Sequence, residues 1–410
     1  MTIHFNRSVK LVLILGAGLM ISLQVNAQEL SGFIETELRL FPDPPAYDDQ
    51  HLSTITFAIE PEYYRSFGEG NLSFYLTPFV RLDGFDSERT HFDIRELYFL
   101  YYKDDWELKA GAKQIFWGVT ESAHLVDIIN QTDLVENLDA EEKLGQPMLN
   151  FSLIKDWGTL DFFYLPYFRE RTFQGKAGRL RFQAPIQIDG VIYDSDAKEW
   201  NPDFAVRYSH YFGNFDIGLS QFYGTSREPA FRITQQGNFV PKYFLMSQTG
   251  LDLQYTGENG WLWKWESIFR ATQSQEFFAF TGGFEYTFSN VRNSGADIGV
   301  LTEYLWDERE NSFSTPAEIN ASLPPNAFNN HLFVGSRVAL NDVQSTAFLA
   351  GGTINLDEGS MFLNVEAERR FGDRWIGEVQ LRAFANPQPD DFLYVFRKDS
   401  YLQLSVRRYF

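Results

Sequence analysis

The sequence predicts an all-β protein: a transmembrane, antiparallel, up-and-down β-barrel of about 18 strands. Three observations predict this fold. An export signal opens the chain, and it is followed by a succession of runs of roughly ten residues in which apolar and polar residues alternate. The connections between these runs are short and long in turn, as expected when a chain passes up and down through an outer membrane.

Residues 1–27 have the features of a secretory signal peptide. Arg7 and Lys10 supply positive charge, residues 11–23 are apolar, and Val25-Asn26-Ala27 forms a small-residue cleavage site. The apolar stretch is shorter than the roughly 20 residues that a membrane-spanning helix needs, so an uncleaved anchor is the weaker alternative. We therefore predict a signal peptide at residues 1–27 and a single barrel domain at residues 28–410.

Composition narrows the class of protein. The chain has 55 acidic and 35 basic residues, and removing the signal peptide removes two basic ones, so the formal net charge moves from −20 to −22. This sign excludes a nucleic-acid partner, since such binders carry basic surfaces. Cysteine is absent, and 17% of the residues are aromatic. Abundant aromatic residues suit a barrel with aromatic girdles at both membrane interfaces.

Alternation within the runs predicts which side chains face the lipid. Trp261, Trp263 and Trp265 share one parity, while Lys264 and Glu266 share the other. Successive strand residues point to opposite faces, so each run has one apolar and one charged side. A run of about 11 residues, tilted by ~45°, spans roughly 25 Å, the height of an outer-membrane apolar band. Soluble strands are shorter, about 5–6 residues.

Counting the runs gives 18 strands, beginning at residues 29–41 and ending at residues 399–410. An even number puts both termini on the same, periplasmic, side of the membrane. Two runs, at residues 148–155 and 344–355, are weakly patterned, so 16 strands is the alternative count. The long connections, predicted to be external loops, are residues 42–50, 84–90, 118–147, 174–203, 227–246, 307–329 and 385–391.

The end of the chain resembles the C-terminal strand by which outer-membrane barrels are recognised for assembly. Leu402, Leu404, Val406 and the terminal Phe410 share one parity, although Arg408 interrupts it. The resemblance implies that the barrel-assembly machinery and outer-membrane lipid are partners of this chain.

A second resemblance lies in the first third of the chain. The segments Arg95-Glu96-Leu97-Tyr98, Gly111-x-x-Gln-x-x-Trp-Gly118 and Asp127-x-x-Asn130-x-x-Asp133 follow one another. Together they resemble porin-like outer-membrane families, including the alginate-export-like barrels. Gln131 stands where those families usually have proline. The resemblance implies a porin-like barrel and does not name a substrate.

Residues 118–147 form the most distinctive loop. Loops longer than ~12–15 residues are usually functional or disordered. This one is acidic and has apolar residues at helix-like spacing, so we predict that it folds inward and narrows the lumen; an ordinary external loop is the alternative. The inward Lys109, Lys113 and Arg382 are expected to attract Asp133 or Glu136 of this loop. A calcium site is disfavoured because a spacing of three lacks alternating oxygen ligands, and no metal or cofactor is predicted. The candidate constriction residues are Trp117, Asp127, Asn130, Asp133 and Glu136.

Charged residues of inward parity are the candidate pore lining. Rings of charged side chains set the preference of a pore among ions. Individually, such residues also pair across strands and merely solvate the wall. The candidates are Glu107, Lys109, Lys113, Asp252, Glu303, Arg337, Glu366, Glu368, Arg370, Glu378 and Arg382.

The sequence therefore predicts a channel in the outer membrane of a Gram-negative bacterium, for passive diffusion of small polar or anionic solutes. A barrel for a dedicated substrate, such as an acidic saccharide or a hydrophobic compound, and a non-conducting surface-binding barrel are the alternatives. An enzyme is not predicted, because the histidines are scattered and neither His-x-x-x-His nor Gly-x-Ser-x-Gly occurs. The oligomeric state stays open.

Overall fold

The computed structural model describes residues 30–273, 275–309, 328–389 and 391–410. The predicted signal peptide and its cleavage site lie outside these residues. Within them the chain forms one closed antiparallel barrel, in which each strand pairs with the next and the last pairs with the first.

The barrel has 18 strands in the described residues, so the predicted fold class and strand number are confirmed. Both weakly patterned runs form strands, the sixth and the fifteenth. The strands are β1 (Leu30–Leu40), β2 (Ser53–Phe67), β3 (Leu72–Asp83), β4 (His91–Lys103), β5 (Trp106–Lys113), β6 (Gln146–Lys155), β7 (Gly158–Leu165), β8 (Asp203–Phe212), β9 (Phe215–Thr225), β10 (Leu245–Thr256), β11 (Trp261–Thr272), β12 (Glu276–Phe288), β13 (Asp297–Asp307), β14 (His331–Ala339), β15 (Ala347–Asn355), β16 (Met361–Phe371), β17 (Trp375–Ala385) and β18 (Tyr401–Tyr409).

The predicted alternation of faces is confirmed by exposure. Trp263 is 50% and Val379 44% exposed on the outer surface, whereas Lys264 and Glu266, of the other parity, are buried inside. Outer aromatic rings stack across neighbouring strands, and the Trp265 and Phe280 rings lie 4.8 Å apart. Apolar groups therefore cover the outside, and polar groups line the inside.

The two ends of the barrel differ, as predicted. At the end where β1 begins and β18 ends, here called the turn end, the connections are tight. Gly213 between β8 and β9 (φ 61°) and Gly372 between β16 and β17 (φ 63°) are in left-handed backbone conformations that glycine adopts without steric cost. Most long connections leave from the opposite end, here called the loop end.

Parts of the long connections form structure of their own. A small three-stranded sheet joins Ile192–Tyr193, Ala230–Ile233 and Phe239–Tyr243 at the loop end. These stretches lie within the connections that were predicted to be loops, residues 174–203 and 227–246. Across the described part of the chain, no helix combines the length and the apolar character needed to cross a membrane.

Candidate functional site

The candidate site is the inserted loop, residues 114–145 between β5 and β6, together with the inner wall that it contacts. Apolar contacts fix the first half of the loop to the inner wall. Val126 and Ile129 are fully buried and belong to one cluster with Phe163, Phe222 and Ile268 of the inner wall. Burying a side chain of this size stabilises by roughly 1.5–3 kcal/mol. The first half of the loop therefore folds into the barrel and packs against the inner wall.

Trp117 anchors the start of the loop. Its ring lies 5.6 Å from the ring of Phe163 on β7, and the Arg207 guanidinium lies 5.1 Å from the Trp117 ring centroid. Arg207 is itself fixed by two short hydrogen bonds, of 2.6 and 2.7 Å, to the carboxylate of Asp252. Asp252, predicted as pore lining, therefore positions an arginine under the loop.

Glu266 on β11 receives the loop backbone. Its Oε1 accepts hydrogen bonds from the backbone N–H groups of Val119 (2.7 Å) and Thr120 (3.0 Å), and its Oε2 from that of Val126 (3.2 Å). Gly118 permits this approach, since a Cβ there would lie 2.8 Å from Oε1. Bonds to an ionised acceptor are about twice as strong as neutral ones, so one buried carboxylate fixes a tight turn of the loop.

Glu303 on β13 binds the next two residues of the loop in a similar way. Its carboxylate accepts from the backbone N–H groups of Glu121 (3.0 Å) and Ser122 (2.8 Å) and from the Ser122 hydroxyl. The side chain of Glu121 then accepts a hydrogen bond of 2.7 Å from Lys264. The loop is thereby fastened to β11 and β13.

The second half of the loop reaches the opposite wall. Glu136 forms an ion pair of 2.7 Å with Arg81 on β3, and both side chains are buried. Arg81 also lies 3.5 Å from Glu35 and 3.7 Å from Glu37 on β1. Arg89 donates to Glu37 at 3.0 Å, so that cations and carboxylates alternate along this wall. A buried pair of this kind is costly to break, because removing one partner leaves an uncompensated charge.

Asp133 is held by the same wall. Its carboxylate lies 3.2 Å from the His91 ring and accepts a hydrogen bond of 2.8 Å from the Thr172 hydroxyl. Arg95 lies 3.8 Å away. Burial alone would raise the pKa of Asp133, but His91, Arg95 and Thr172 outweigh it and lower that pKa. Asp133 is therefore a charged anchor.

A β-bulge aims Arg95 at the loop. The pairing of β3 with β4 shifts between Thr77 and Pro78, which leaves Arg95 as an extra residue on β4. Bulges commonly re-aim a side chain in this way. Arg95 and Glu96, although adjacent, both interact inside the barrel: Arg95 lies 3.3 Å from Glu142, and Glu96 lies 2.9 Å from Lys113.

The expected partners of the loop were partly wrong. Lys109, Lys113 and Arg382 were expected to attract Asp133 or Glu136. Instead, Lys109 pairs with Glu107 on its own strand, and Lys113 pairs with Glu96. Arg382 does hold the loop, through Asp139 and through a 2.6 Å hydrogen bond to the Asn137 side chain.

The remaining candidate residues lie on the inner wall. Glu366 accepts hydrogen bonds from Asn364 and Gln380, and Arg370 donates to the backbone of Asp373. Arg337 is half exposed and lies 3.5 Å from Glu121. Within the described residues, the side chains of Glu368 and Glu378 have no hydrogen bond or ion pair. A pore-lining role for the whole set stays a prediction.

The side chains of the Asp127–Asn130–Asp133 motif hold the loop in its conformation. Asn130 accepts from the Ile115 backbone N–H and donates to the carbonyls of Lys113 and Leu144. Asp127 accepts from the Trp117 backbone N–H and pairs with Lys143 at 3.1 Å. The calcium alternative does not fit, because protein donors already engage these oxygens.

A second oxygen-rich group also fails as a metal site. His91, Asp133 and Glu136 offer ligand atoms within 4.8 Å of one another. Arg81 lies 2.7 Å from Glu136, and Arg95 3.8 Å from Asp133. These cations already satisfy the carboxylates and would repel a metal ion.

His124 lies at the exposed edge of the loop. Its ring nitrogens lie 3.3 Å from Glu141 and 3.9 Å from Glu266. Burial disfavours the charged ring, but the hydrogen bond to Glu141 and the negative charges of both carboxylates prevail and raise the pKa of His124 to about 10. The imidazolium therefore links the loop to the wall at neutral pH.

Other connections cover the loop end. Phe173, Phe231 and Phe239 form a buried cluster that Leu134 of the inserted loop joins. A second cluster contains Phe396 from the last long connection. Arg179 is buried between them and pairs with Asp399 at 2.8 Å. The inserted loop thus continues into a packed cap.

Sequence reasoning missed the arginine-rich wall. Glu35, Glu37 and Arg39 alternate along β1, and Arg81 and Asp83 along β3, with the same period of two that identified the other inward charges. The alternation of these charged residues is visible in the sequence. It does not distinguish a buried ion-pair network from a lining that faces water, because both have a period of two.

Comparisons with known proteins support the fold. No protein-family model and no curated protein match this sequence. Among solved structures, Wzi from Escherichia coli, described as an outer-membrane protein involved in group 1 capsule assembly and a carbohydrate-binding β-barrel, is 10% identical; the match covers 92% of this chain and 84% of Wzi, with a TM-score of 0.52.

Two further structures match at lower TM-scores. A porin mutant from Rh. blastica is 8% identical, with 93% of this chain and 99% of the porin covered and a TM-score of 0.44. OmpT of Vibrio cholerae, an outer membrane protein solved as a loop-deletion mutant, is 9% identical, with 93% and 98% covered and a TM-score of 0.45. The fold is that of Gram-negative outer-membrane β-barrels.

Proposed function

We propose that this protein is an outer-membrane channel for passive diffusion of small polar solutes, narrowed by the inserted loop. One observation carries the proposal: the loop does not cover the whole inner wall. The side chain of Arg337 on β14 is 54% exposed, and Glu368 on β16 is also exposed. On the loop, the side chain of Glu141 is 55% exposed. Charged groups on both sides of a gap favour a water-filled path.

The charges that border this gap favour cations and neutral solutes over anions. Arg81 and Arg382 are buried in ion pairs with the loop, and the half-exposed Arg337 is paired with Glu121 of the loop. Glu368 is exposed, and its side chain has no such partner in the part of the chain described here. A lumen lined by uncompensated carboxylates attracts cations and repels anions. Anionic solutes, which the sequence analysis allowed, and the alternative of an acidic saccharide fit this pattern of charges less well than cations and neutral solutes do.

Recordings in planar bilayers test the proposal. The purified mature protein should give steady unitary current steps in KCl. In a KCl gradient, the reversal potential should have the sign of a cation-preferring pore, and the preference should weaken at higher salt because charges are screened. Silence from correctly folded protein would contradict a channel, and an anion-preferring reversal potential would contradict the charge argument.

A non-conducting surface-binding barrel is the second candidate. The packed loop end favours it, because Phe182 contacts Phe231, Phe392 and Phe396 across three separate connections. A cap of this kind would close the lumen and present a fixed surface. Silent bilayers, together with a heat-modifiable folded protein, would favour this candidate over the channel.

A further inference from the structure

Three tyrosines form a ladder on the inner wall near the turn end. Tyr64 on β2, Tyr75 on β3 and Tyr98 on β4 are direct cross-strand partners. The rings of Tyr64 and Tyr75 lie 5.0 Å apart, and those of Tyr75 and Tyr98 are stacked at 4.6 Å. The ladder shares the inward parity of Glu96, so it faces the lumen and not the lipid.

The backbone beside the ladder fixes its last ring. Gly111 on β5 pairs with Tyr98, and its φ of 139° lies in the region that favours glycine. A Cβ at Gly111 would lie 2.1 Å from the Leu97 carbonyl oxygen and 2.9 Å from the Tyr98 Cβ. Glycine therefore lets Tyr98 lie close to the neighbouring strand.

A cavity of about 560 Å³ opens beside the ladder. Three carboxylates line it, those of Glu60, Glu62 and Glu96, together with the single cation Arg95. Arg95 lies 3.2 Å from Glu60 and is also shared with the inserted loop. The side chain of Glu62 is exposed, and no described residue forms a hydrogen bond or an ion pair with it. The cavity is thus walled by tyrosines and carries excess negative charge.

The ammonium group of Lys113 already lies against one end of the ladder. The Lys113 Nζ lies 4.5 Å from the centroid of the Tyr98 ring, 3.3 Å from its hydroxyl and 2.9 Å from Glu96. Aromatic faces attract cations through their quadrupole, and a nearby carboxylate adds to this attraction. The other end of the ladder, Tyr64 with Glu62, offers the same pair of groups, and no cation of the described residues lies against this ring.

We propose that the Tyr64–Tyr75 cavity is a binding site for organic ammonium cations such as linear di- and polyamines. The ammonium lies against Tyr64 and Glu62, and a second amine of the same molecule reaches Glu60. The proposal deepens the channel function and rests on it for its biological meaning: the site selects amines at the turn end of the lumen.

Calorimetric titration of the detergent-solubilised mature protein with spermidine tests the site. Glu62→Gln and Tyr64→Leu should each weaken spermidine binding about tenfold, which equals about 1.4 kcal/mol. The matched control is Glu258→Gln, which removes an exposed carboxylate in the turn between β10 and β11, away from the cavity, and should leave binding unchanged. Raising KCl should weaken binding to the wild type more than to Glu62→Gln.

Maltose serves as the neutral probe. Maltose binding that Tyr64→Leu abolishes and Glu62→Gln spares, with spermidine inert, would overturn the proposal in favour of a sugar site. Equal spermidine affinity in wild type and both cavity variants would overturn it as well.

Bilayer recordings separate this proposal from the channel itself. If the wild type conducts but spermidine neither binds nor blocks, the amine site is wrong and the channel stands. If the wild type is silent while titration shows binding that both cavity variants weaken, the site stands and the channel is wrong.

Discussion

Side-chain direction decides the cost of a charge at each barrel position. Val379 faces the lipid on β17. Val379→Arg should lower the free energy of unfolding by roughly 2–4 kcal/mol, because a charge near the bilayer midplane is poorly solvated. Glu368→Arg on the inner wall should cost far less, since that side chain is exposed to the lumen. Urea titrations in lipid compare the two, and similar losses would contradict the assignment of faces.

Inward direction alone does not make a position tolerant. Gln380 also faces inward, yet it is buried, donates to Glu366 and accepts from the Tyr401 hydroxyl. Replacing it leaves buried partners unsatisfied, at a cost of about 1–3 kcal/mol. The alternation in the sequence identifies the face of a residue, whereas its burial depends on what the loops cover.

The raised pKa of His124 predicts a pH dependence. The ring pKa is about 10 in the folded protein, above the usual 6.5. A raised pKa gives stability that is fully present below pH 6.5 and is lost as the pH rises through about 10. Wild type should therefore lose more stability between pH 6 and pH 10.5 than His124→Gln does. Identical pH profiles in urea titrations would show that the imidazolium does not link loop and wall.

The inserted loop is pinned by charge at its second half. Glu136→Gln combined with Asp139→Asn removes the contacts to Arg81 and Arg382. The loop should then move more freely, and unitary conductance should rise. Asp373→Asn combined with Glu258→Gln, in two turns outside the lumen, is the control for the change of two in net charge. Unchanged conductance in a folded double variant would place the constriction elsewhere, for example at the loop-end cap.

The strands were predictable, whereas the structure of the loops was only partly so. A period of two identifies a strand and its faces from neighbouring residues alone. Height along the barrel depends on strand tilt and stagger, which the sequence does not state. The prediction that Arg382 on β17 binds the loop was therefore right, but its partners were wrong. Arg382 forms an ion pair with Asp139 and not with Asp133 or Glu136. The short loop-end strands were missed for a different reason, because they pair across distant connections.

Export is a prediction about the whole molecule. Residues 1–27 lie outside the described structure, so the processed bond between Ala27 and Gln28 stays a prediction. Small residues at positions 25 and 27 favour that bond. N-terminal sequencing of the protein from outer membranes should begin at Gln28. A chain that begins at Met1 would instead support an uncleaved anchor.

The central claim is that water passes through the barrel beside the inserted loop. Cysteine is absent from the chain, so single cysteines report on one position each. In a bilayer recording, Glu368→Cys should react with a cationic methanethiosulfonate faster than with an anionic one, and each reaction should reduce the current stepwise. Thr281→Cys, fully buried beneath the loop, should not react. Labelling of Glu368→Cys without any change in current would contradict the account.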